Sequence, residues 1–291
     1  MNFARLAACL LALCVAAPAA AAFPDKPIRV IVPWPAGGLV DIPARLIGAH
    51  MEKALGQPVI VENRPGAGGV VGAEAAAKAP ADGYTIMLTT SAINMNDAMR
   101  PGQPFQAGER FDAVAPAAYA SLIMVTHPEK GPRSMSELLD KARANPGAMN
   151  YASAGNGTPG HFSAELLKSM TGVDVVHVAY KGGPPAMVDQ IAGLVDFHFA
   201  NAAVALPQIK AGKVIPLAVA SDKRLALLPE VPTMAEAGVP DFNSDQWLGY
   251  LAPTGTPAEA IERLNAAIND ALRDKAVQDE LARNGMSAAT P

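Results

Sequence analysis

The sequence predicts an α/β protein of two lobes, each a mostly parallel sheet flanked by helices, with a ligand cleft between them. Three observations predict it. Short β-branched apolar runs alternate with segments of helical spacing along almost the whole chain, and a strand, turn, helix, strand recurrence generates parallel sheets covered on both faces. Three strand-to-helix turns are rich in glycine and small polar residues, one in the N-terminal third and two past residue 150, so a site built from all three lies between two bodies. The 291 residues are enough for two cores of ordinary domain size.

In order along the chain, IRVIVP (28–33) is a β-branched run ended by a proline and reads as a strand. The turn WPAGGLVD leads into DIPARLIGAHMEKALG (41–56), whose apolar residues recur at helical spacing between Asp41 and Gly56. VIVEN (59–63) is a strand, GGVVGAEAAAKA (68–79) a helix and YTIMLTT (84–90) a strand. VAPAAYASLIMVTH (114–127) is one long weakly polar run suited to passing from lobe to lobe. SMSELLDKARAN (134–145) is helical, a short strand follows at Asn150-Tyr151, and GHFSAELLKSMTG (160–172) is a helix opening from the turn AGNGTPGH. VDVVHV (173–178) and VDFHF (195–199) are strands on either side of the helix GPPAMVDQIAGL (183–194). VIPLAVA (214–220) is a strand, and LAVASDKR (217–224) makes the return crossing. Beyond the proline-rich LPEVPTMAEAGVP (228–240) come the strand WLGYLAP (247–253) and the helices PAEAIERLNAAINDALRD (257–274) and KAVQDELARNG (275–285). The lobes are therefore expected at 23–120 with 222–291, and at 121–221.

The first residues stand apart. Arg5 is their sole charge, Leu6 to Val15 is an apolar run too short to span a bilayer, and Ala20-Ala21-Ala22 offers an A-x-A cleavage site. Residues 1–22 are thus expected to be a secretory signal peptide, with the remainder exported to the periplasm. In a lipoprotein signal Cys14 would be acylated, but Leu13 precedes it where a small residue is needed. Cys9 and Cys14 are the two cysteines of the chain, so the exported part is expected to be stable through its core without disulfides. A net charge of −4 with no cluster of Lys or Arg excludes nucleic acid as an expected partner.

Ligands of open α/β sheets lie outside the carboxyl ends of strands, so WPAGGLVD, GTPGH and YKGGPPA are the turns in which function is sought. A helix opening at such a turn offers unpaired N–H groups and the positive end of its dipole to a carboxylate or phosphate. Gly37 and Gly38 permit close backbone approach and Asp41 is able to cap the first helix, although a plain capped turn accounts for the same residues. In the second turn two hydroxyls, Asn156 and His161 converge, while Thr158-Pro159 is also an ordinary N-cap and first-turn pair. YASAG sets Ser153 near a nucleophile elbow, with Asp174 and His177 following in hydrolase order. Tyr151 stands where that elbow needs glycine, and Asp174 and His177 fall on opposite faces of one expected strand, which disfavours hydrolysis. GAGGVVG (66–72) has Val71 in place of the third glycine of a dinucleotide loop. The five histidines show no metal spacing. No cofactor and no metal is expected.

Taken together, PIRVIVPWPAGGLVDIPARLI, LGQPVIVENRPGAGGVVGAEAAAKAPADGYTIML, NYASAGNGTPGHFSAELL, HVAYKGG and IKAGKVIPLAVASDKRLALLPEVPTMAEAGVPDF resemble the tripartite tricarboxylate transporter substrate-binding family, the Bug receptors, from about Phe23 onward. The resemblance implies a type II-like periplasmic binding protein, monomeric and without catalytic activity. It implies closure on one small carboxylate and delivery to a two-component inner-membrane permease. A sensor that signals through the same closed form is the alternative. Carried onto this chain, the ligand-binding residues are Trp34, Ala36, Gly37, Gly38 and Asp41 of the first turn. Ser153, Ala154, Gly155, Asn156, Gly157, Thr158 and His161 come from the second, and Ser91, Tyr180 and Asn201 line the cleft. Ser153 is then a hydrogen-bond donor, with no base needed to activate it. Leu39 stands where the family commonly has proline or serine, Val40 where it has a hydroxyl, and Ala200 where it has aspartate. These departures predict a less polar acid, an aromatic or short aliphatic monocarboxylate. The sequence also stops at SAATP where relatives usually continue through one more helix, so that helix is either dispensable or its lack lowers stability.

Overall fold

The computed structural model describes residues 23–99, 101–102 and 106–289; the expected signal peptide, 1–22, lies outside them. In chain order the strands are β1 (Ile28–Val32), β2 (Val59–Asn63), β3 (Thr85–Thr90), β4 (Phe111–Ala120), β5 (Leu122–Thr126), β6 (Asn150–Ser153), β7 (Val176–Ala179), β8 (Phe197–Asn201), β9 (Ile215–Val219), β10 (Gln246–Pro253) and β11 (Met286–Ala288). The helices are α1 (Asp41–Leu55), α2 (Val70–Ala77), α3 (Ala92–Met99), α4 (Met135–Ala144), α5 (Pro159–Thr171), α6 (Gly183–Ala192), α7 (Ala202–Lys210), α8 (Ala258–Arg273) and α9 (Lys275–Arg283). Among the described residues no helix is long and apolar enough to cross a membrane.

Two sheets divide these strands between two lobes. The first has the order β11-β4-β10-β3-β1-β2, with β1 parallel to β2 and β3, and with β10 antiparallel between β3 and β4. The second has the order β7-β6-β8-β5-β9, with β6 parallel to β7 and β8, and with β5 antiparallel between β8 and β9. The antiparallel strands β5 and β10 are the ones that receive the chain as it passes from lobe to lobe. Every residue of β3 and of β5 is buried, which is why TIMLTT and LIMVT read as continuous apolar runs without alternation.

The first core joins Ile28, Val30, Ile86 and Leu88 of the sheet to Ile47 and Met51 of α1 and to Leu264 and Ile268 of α8. In the second lobe one face of the sheet, with Leu122, Met124, Phe197 and Phe199, packs on Leu138 of α4 and Leu167 of α5. The other face, with Ile123, Val125 and Ala200, packs on Met187 of α6 and Ala205 of α7.

The return crossing lies further along the chain than the sequence suggests. Residues 222–244 pack with the second lobe: Leu228 and Val231 join Ile123 and Val219, while Met234, Val239 and Phe242 join Leu122 and Phe199. The physical reason is the open edge of β9. Thr233 bridges to Val219 in parallel, and Ser244 N–H donates to Ala220 O at 2.9 Å, so the proline-rich stretch covers an otherwise unpaired strand. The outgoing and returning crossings meet where Ser121 Oγ donates to Asp245 Oδ1 at 2.7 Å.

Candidate functional site

A cleft of about 40 Å³ opens between the lobes at the carboxyl ends of β1, β3, β6 and β8. Trp34, Pro35, Gly38, Leu39, Val40, Thr90 and Gln246 line it from the first lobe. The second lobe adds Leu122, Ala154, Thr158, Pro159, Gly160, Gly183, Pro184, His198, Phe199, Asn201 and Val204. No carboxylate, lysine or arginine belongs to this lining, so a charged ligand is met by dipoles alone.

Two helix N-termini reach the cleft from the second lobe, and they are unequal. In α5 the first intrahelical bond runs from Phe162 N–H to Thr158 O at 3.0 Å, so the N–H groups of Gly160 and His161 precede it. Pro159, which has no N–H to leave unpaired, opens the helix. In α6 the corresponding bond, Ala186 N–H to Gly182 O, is long at 3.5 Å. Pro184 and Pro185 carry no N–H, so only Gly183 retains one ahead of it. An anion therefore has its stronger seat at α5.

Two lining side chains hold a nitrogen with no hydrogen-bond partner. Trp34 Nε1, on a residue 8% exposed, and His198 Nδ1, on a residue 2% exposed, are both buried and unpaired. Buried polar atoms normally have partners, so each has hydrogen-bonding capacity left for whatever enters the cleft. Burial pushes the pKa of His198 down to about 4, so its ring is neutral at neutral pH.

Trp34, Gly38, Ala154, Thr158 and Asn201 line the cleft, as the sequence suggests. The other expected residues stand elsewhere, for local reasons. Ala36 and Gly37 are exposed at the lip, and Gly37 borders a separate outer groove with Met187 and Pro207. Asp41 is buried beneath the turn, where its carboxylate accepts from Gly37 N–H at 2.9 Å, Arg45 Nε at 3.0 Å and Asn63 Nδ2 at 2.9 Å. Val40, not Asp41, holds the N-cap position of α1. Ser91 is buried outside the lining with its hydroxyl unpaired. Tyr180 donates its hydroxyl to Asp189 at 2.6 Å and packs against Ala152, Ala186 and Val195. Ala200, the position of an expected polar difference, is fully buried in the apolar cluster with Ile123 and Val125.

The remaining residues of the second turn shape it or join the lobes. Ser153 is fully buried; its hydroxyl accepts from Gly155 N–H at 3.1 Å and lies 2.6 Å from His177 Nε2. His177 reaches this serine because β6 and β7 are parallel neighbours and Ser153 registers with Ala179 two residues beyond it, whereas Asp174 does not join them, in line with their expected placement on opposite faces. Ser153 is sealed on its own side, and the half-buried His177 is stacked between Tyr151 and His161 at ring distances of 4.8 and 4.2 Å. Asp174, the acid of the hydrolase order, faces Gly147 instead. His161 Nδ1 accepts from Gly157 N–H at 3.3 Å and so braces the turn. Gly155 and the Asn156 carbonyl lie against Gly68 of the first lobe, and Gly157 lies against Asn96.

Thr90, Pro184, His198, Phe199, Val204 and Gln246 line the cleft and were missed in the sequence. Thr90 and Gln246 sit at strand ends facing the cleft, a position that strand boundaries alone could have flagged. His198 sits inside a strand, and its free nitrogen is a consequence of tertiary packing with no local signature.

Comparison with known proteins agrees with this geometry. Residues 43–291 match the family described as Tripartite tricarboxylate transporter family receptor. The chain is similar to protein BugT of Bordetella pertussis, with 38% identity over 280 residues, 95% of this chain and 85% of that protein. Among solved structures it is similar to Rpa4515 of R. palustris with adipate, at a TM-score of 0.88, 32% identity and coverage of 92% of this chain and 90% of that one. It is likewise similar to MatC (Rpa3494) of Rhodopseudomonas palustris with bound malate, at 0.87, 33% identity and 92% coverage of both chains. With two lobes, crossing strands and a cleft walled by helix N-termini, the chain belongs to the tripartite tricarboxylate transporter receptor family of periplasmic binding proteins.

Proposed function

We propose that this protein is a periplasmic solute receptor that closes its lobes on one small carboxylate and delivers it to a two-component inner-membrane permease, acting as a monomer and without catalysis. The observation that carries the reading is that the cleft lining holds both the first turn of α5, whose Gly160 N–H precedes the first intrahelical bond, and Trp34, whose Nε1 has no partner. Donors fixed by backbone and packing neutralise a carboxylate without reorganisation. The adipate and malate of the two R. palustris structures support the same ligand class. Ser153 serves the turn: its hydroxyl is buried and committed to Gly155 and His177.

Thermal unfolding against a panel of mono- and dicarboxylic acids tests the proposal. A ligand that binds only the folded protein stabilises it by about 2.7 kcal/mol at a hundredfold excess over Kd. A rise in midpoint with at least one acid is expected. A folded sample that responds to none overturns the reading, and ester hydrolysis abolished by Ser153→Ala would restore the enzyme alternative.

A further inference from the structure

We propose that His198 sets the ligand class: the cleft suits an acid with a single carboxylate and, on an otherwise apolar body, one neutral hydrogen-bonding group such as a hydroxyl, which the free Nδ1 of His198 engages. This rests on the carboxylate-receptor reading and narrows it.

The cleft has one good anionic seat. The first turn of α5 keeps two N–H groups, whereas prolines replace the donors at the second and third positions of α6. Trp34 Nε1 is donor only and fits a carboxylate oxygen. Between these donors and the remaining walls lie Leu39, Val40, Pro184, Phe199 and Val204, all apolar. The amides of Asn201 and Gln246 are joined to each other, Gln246 Nε2 donating to Asn201 Oδ1 at 2.6 Å.

Of the lining side chains, His198 is the one besides Trp34 that holds a buried polar atom with no partner. Its backbone pairs with Val125 on one side and Ala152 on the other, so packing fixes the ring in the sheet. Its Nδ1 is buried without a partner. A hydroxyl both donates and accepts, so it satisfies that nitrogen in either tautomer. A second carboxylate would bring a full charge and two acceptor oxygens to a wall that offers a neutral ring and no cation, and burial without pairing disfavours it.

Two matched sets of acids test this: butanoate, 4-hydroxybutanoate and succinate, and hexanoate, 6-hydroxyhexanoate and adipate. Each set differs only at the far end. Calorimetric affinities are expected to favour the hydroxy acid over the unsubstituted acid by about tenfold in the set that fits, with the diacid weakest. In His198→Phe the ratio of hydroxy to unsubstituted acid should collapse to about one. A diacid that binds as tightly as the hydroxy acid overturns the inference. So does a variant that weakens all three equally, the signature of a merely structural histidine. Should His198→Phe fail to fold, the nitrogen-15 resonance of Nδ1 in the unaltered protein decides: it must move with the hydroxy acid more than with the unsubstituted acid, and an equal response overturns the proposal. If no acid of either set binds, the receptor reading itself fails, which is a separate result.

Discussion

Asp41 is held in place by its partners. Burial alone would raise its pKa, but hydrogen bonds from Arg45, Gly37 N–H and Asn63 outweigh that and hold it below the ordinary carboxylate value. A depressed carboxyl contributes stability that is complete above its unfolded pKa, near 4, and is lost as pH falls through the folded value. Asp41→Asn is therefore expected to cost about 1.5–3 kcal/mol at pH 7, with the gap to the parent protein shrinking at pH 3. Urea midpoints at the two pH values check it; a variant as stable as the parent at pH 7 would sink the assignment. Ala200 carries the opposite lesson. With zero exposure and Ile123 as its cross-strand partner, it is a core position. Ala200→Asp should lower stability by about 3 kcal/mol or more through an uncompensated buried charge, and should not act as a change of ligand preference. Equal stability with altered preference would return the position to the cleft.

At the scale of elements, α3 ties the lobes together. Asn96 Nδ2 donates to Ala92 O at 2.9 Å within its helix, to Gly68 O at 3.1 Å, and more weakly towards Gly157 O across the cleft at 3.5 Å. Gly157 has φ +72°, and a Cβ there would stand 2.5 Å from Asn96 Oδ1, so the contact needs glycine at that point. Gly157→Ala is expected to favour the open form: small-angle scattering should show a larger radius of gyration than in the parent protein, and carboxylate affinity should fall with no change in the groups that line the cleft. An unchanged radius and affinity would mean that the contact is incidental. The same helix shows why part of the architecture was illegible. AINMNDAM has only a weak apolar stripe, and α7, AAVALPQIK, continues without a turn from the strand VDFHF and contains Pro207. Long periodic segments such as α1 and α8 were legible because burial on one face writes itself into the spacing. The lobe boundary was not, because the stretch that covers the edge of β9 is held by scattered prolines and single apolar anchors with no period. For the site, glycine-rich turns announced where the backbone approaches a ligand, while the inward direction of Thr90, His198 and Gln246 depends on which strands become neighbours.

For the molecule as a whole, acid stability is set largely in the second lobe. His198 is pushed down to about 4 by burial, His177 to about 4 by burial and then by neighbouring His161, and His161 is lowered chiefly by burial. Each binds a proton more readily in the unfolded chain, near pH 6.5, so the stability of their neutral forms is complete above that value and is lost as pH falls towards 4. Between pH 6.5 and pH 5 the fully buried His198 should remove at most about 2 kcal/mol, and the half-buried, solvent-screened His177 less. The two tryptophans allow the lobes to be watched separately: Trp34 follows β1 and Trp247 lies in β10, both on the first lobe, whereas circular dichroism reports both. If the crossings make unfolding a single event, fluorescence and dichroism midpoints in urea should fall together between pH 7 and pH 5, since coincident transitions are the mark of all-or-none behaviour. If the lobes unfold separately, the dichroism curve should split and only the component silent in fluorescence should move with pH. Midpoints that stay fixed over this range in both signals would mean that the histidines are not buried neutral, and the neutral His198 on which the choice of ligand depends would go with them.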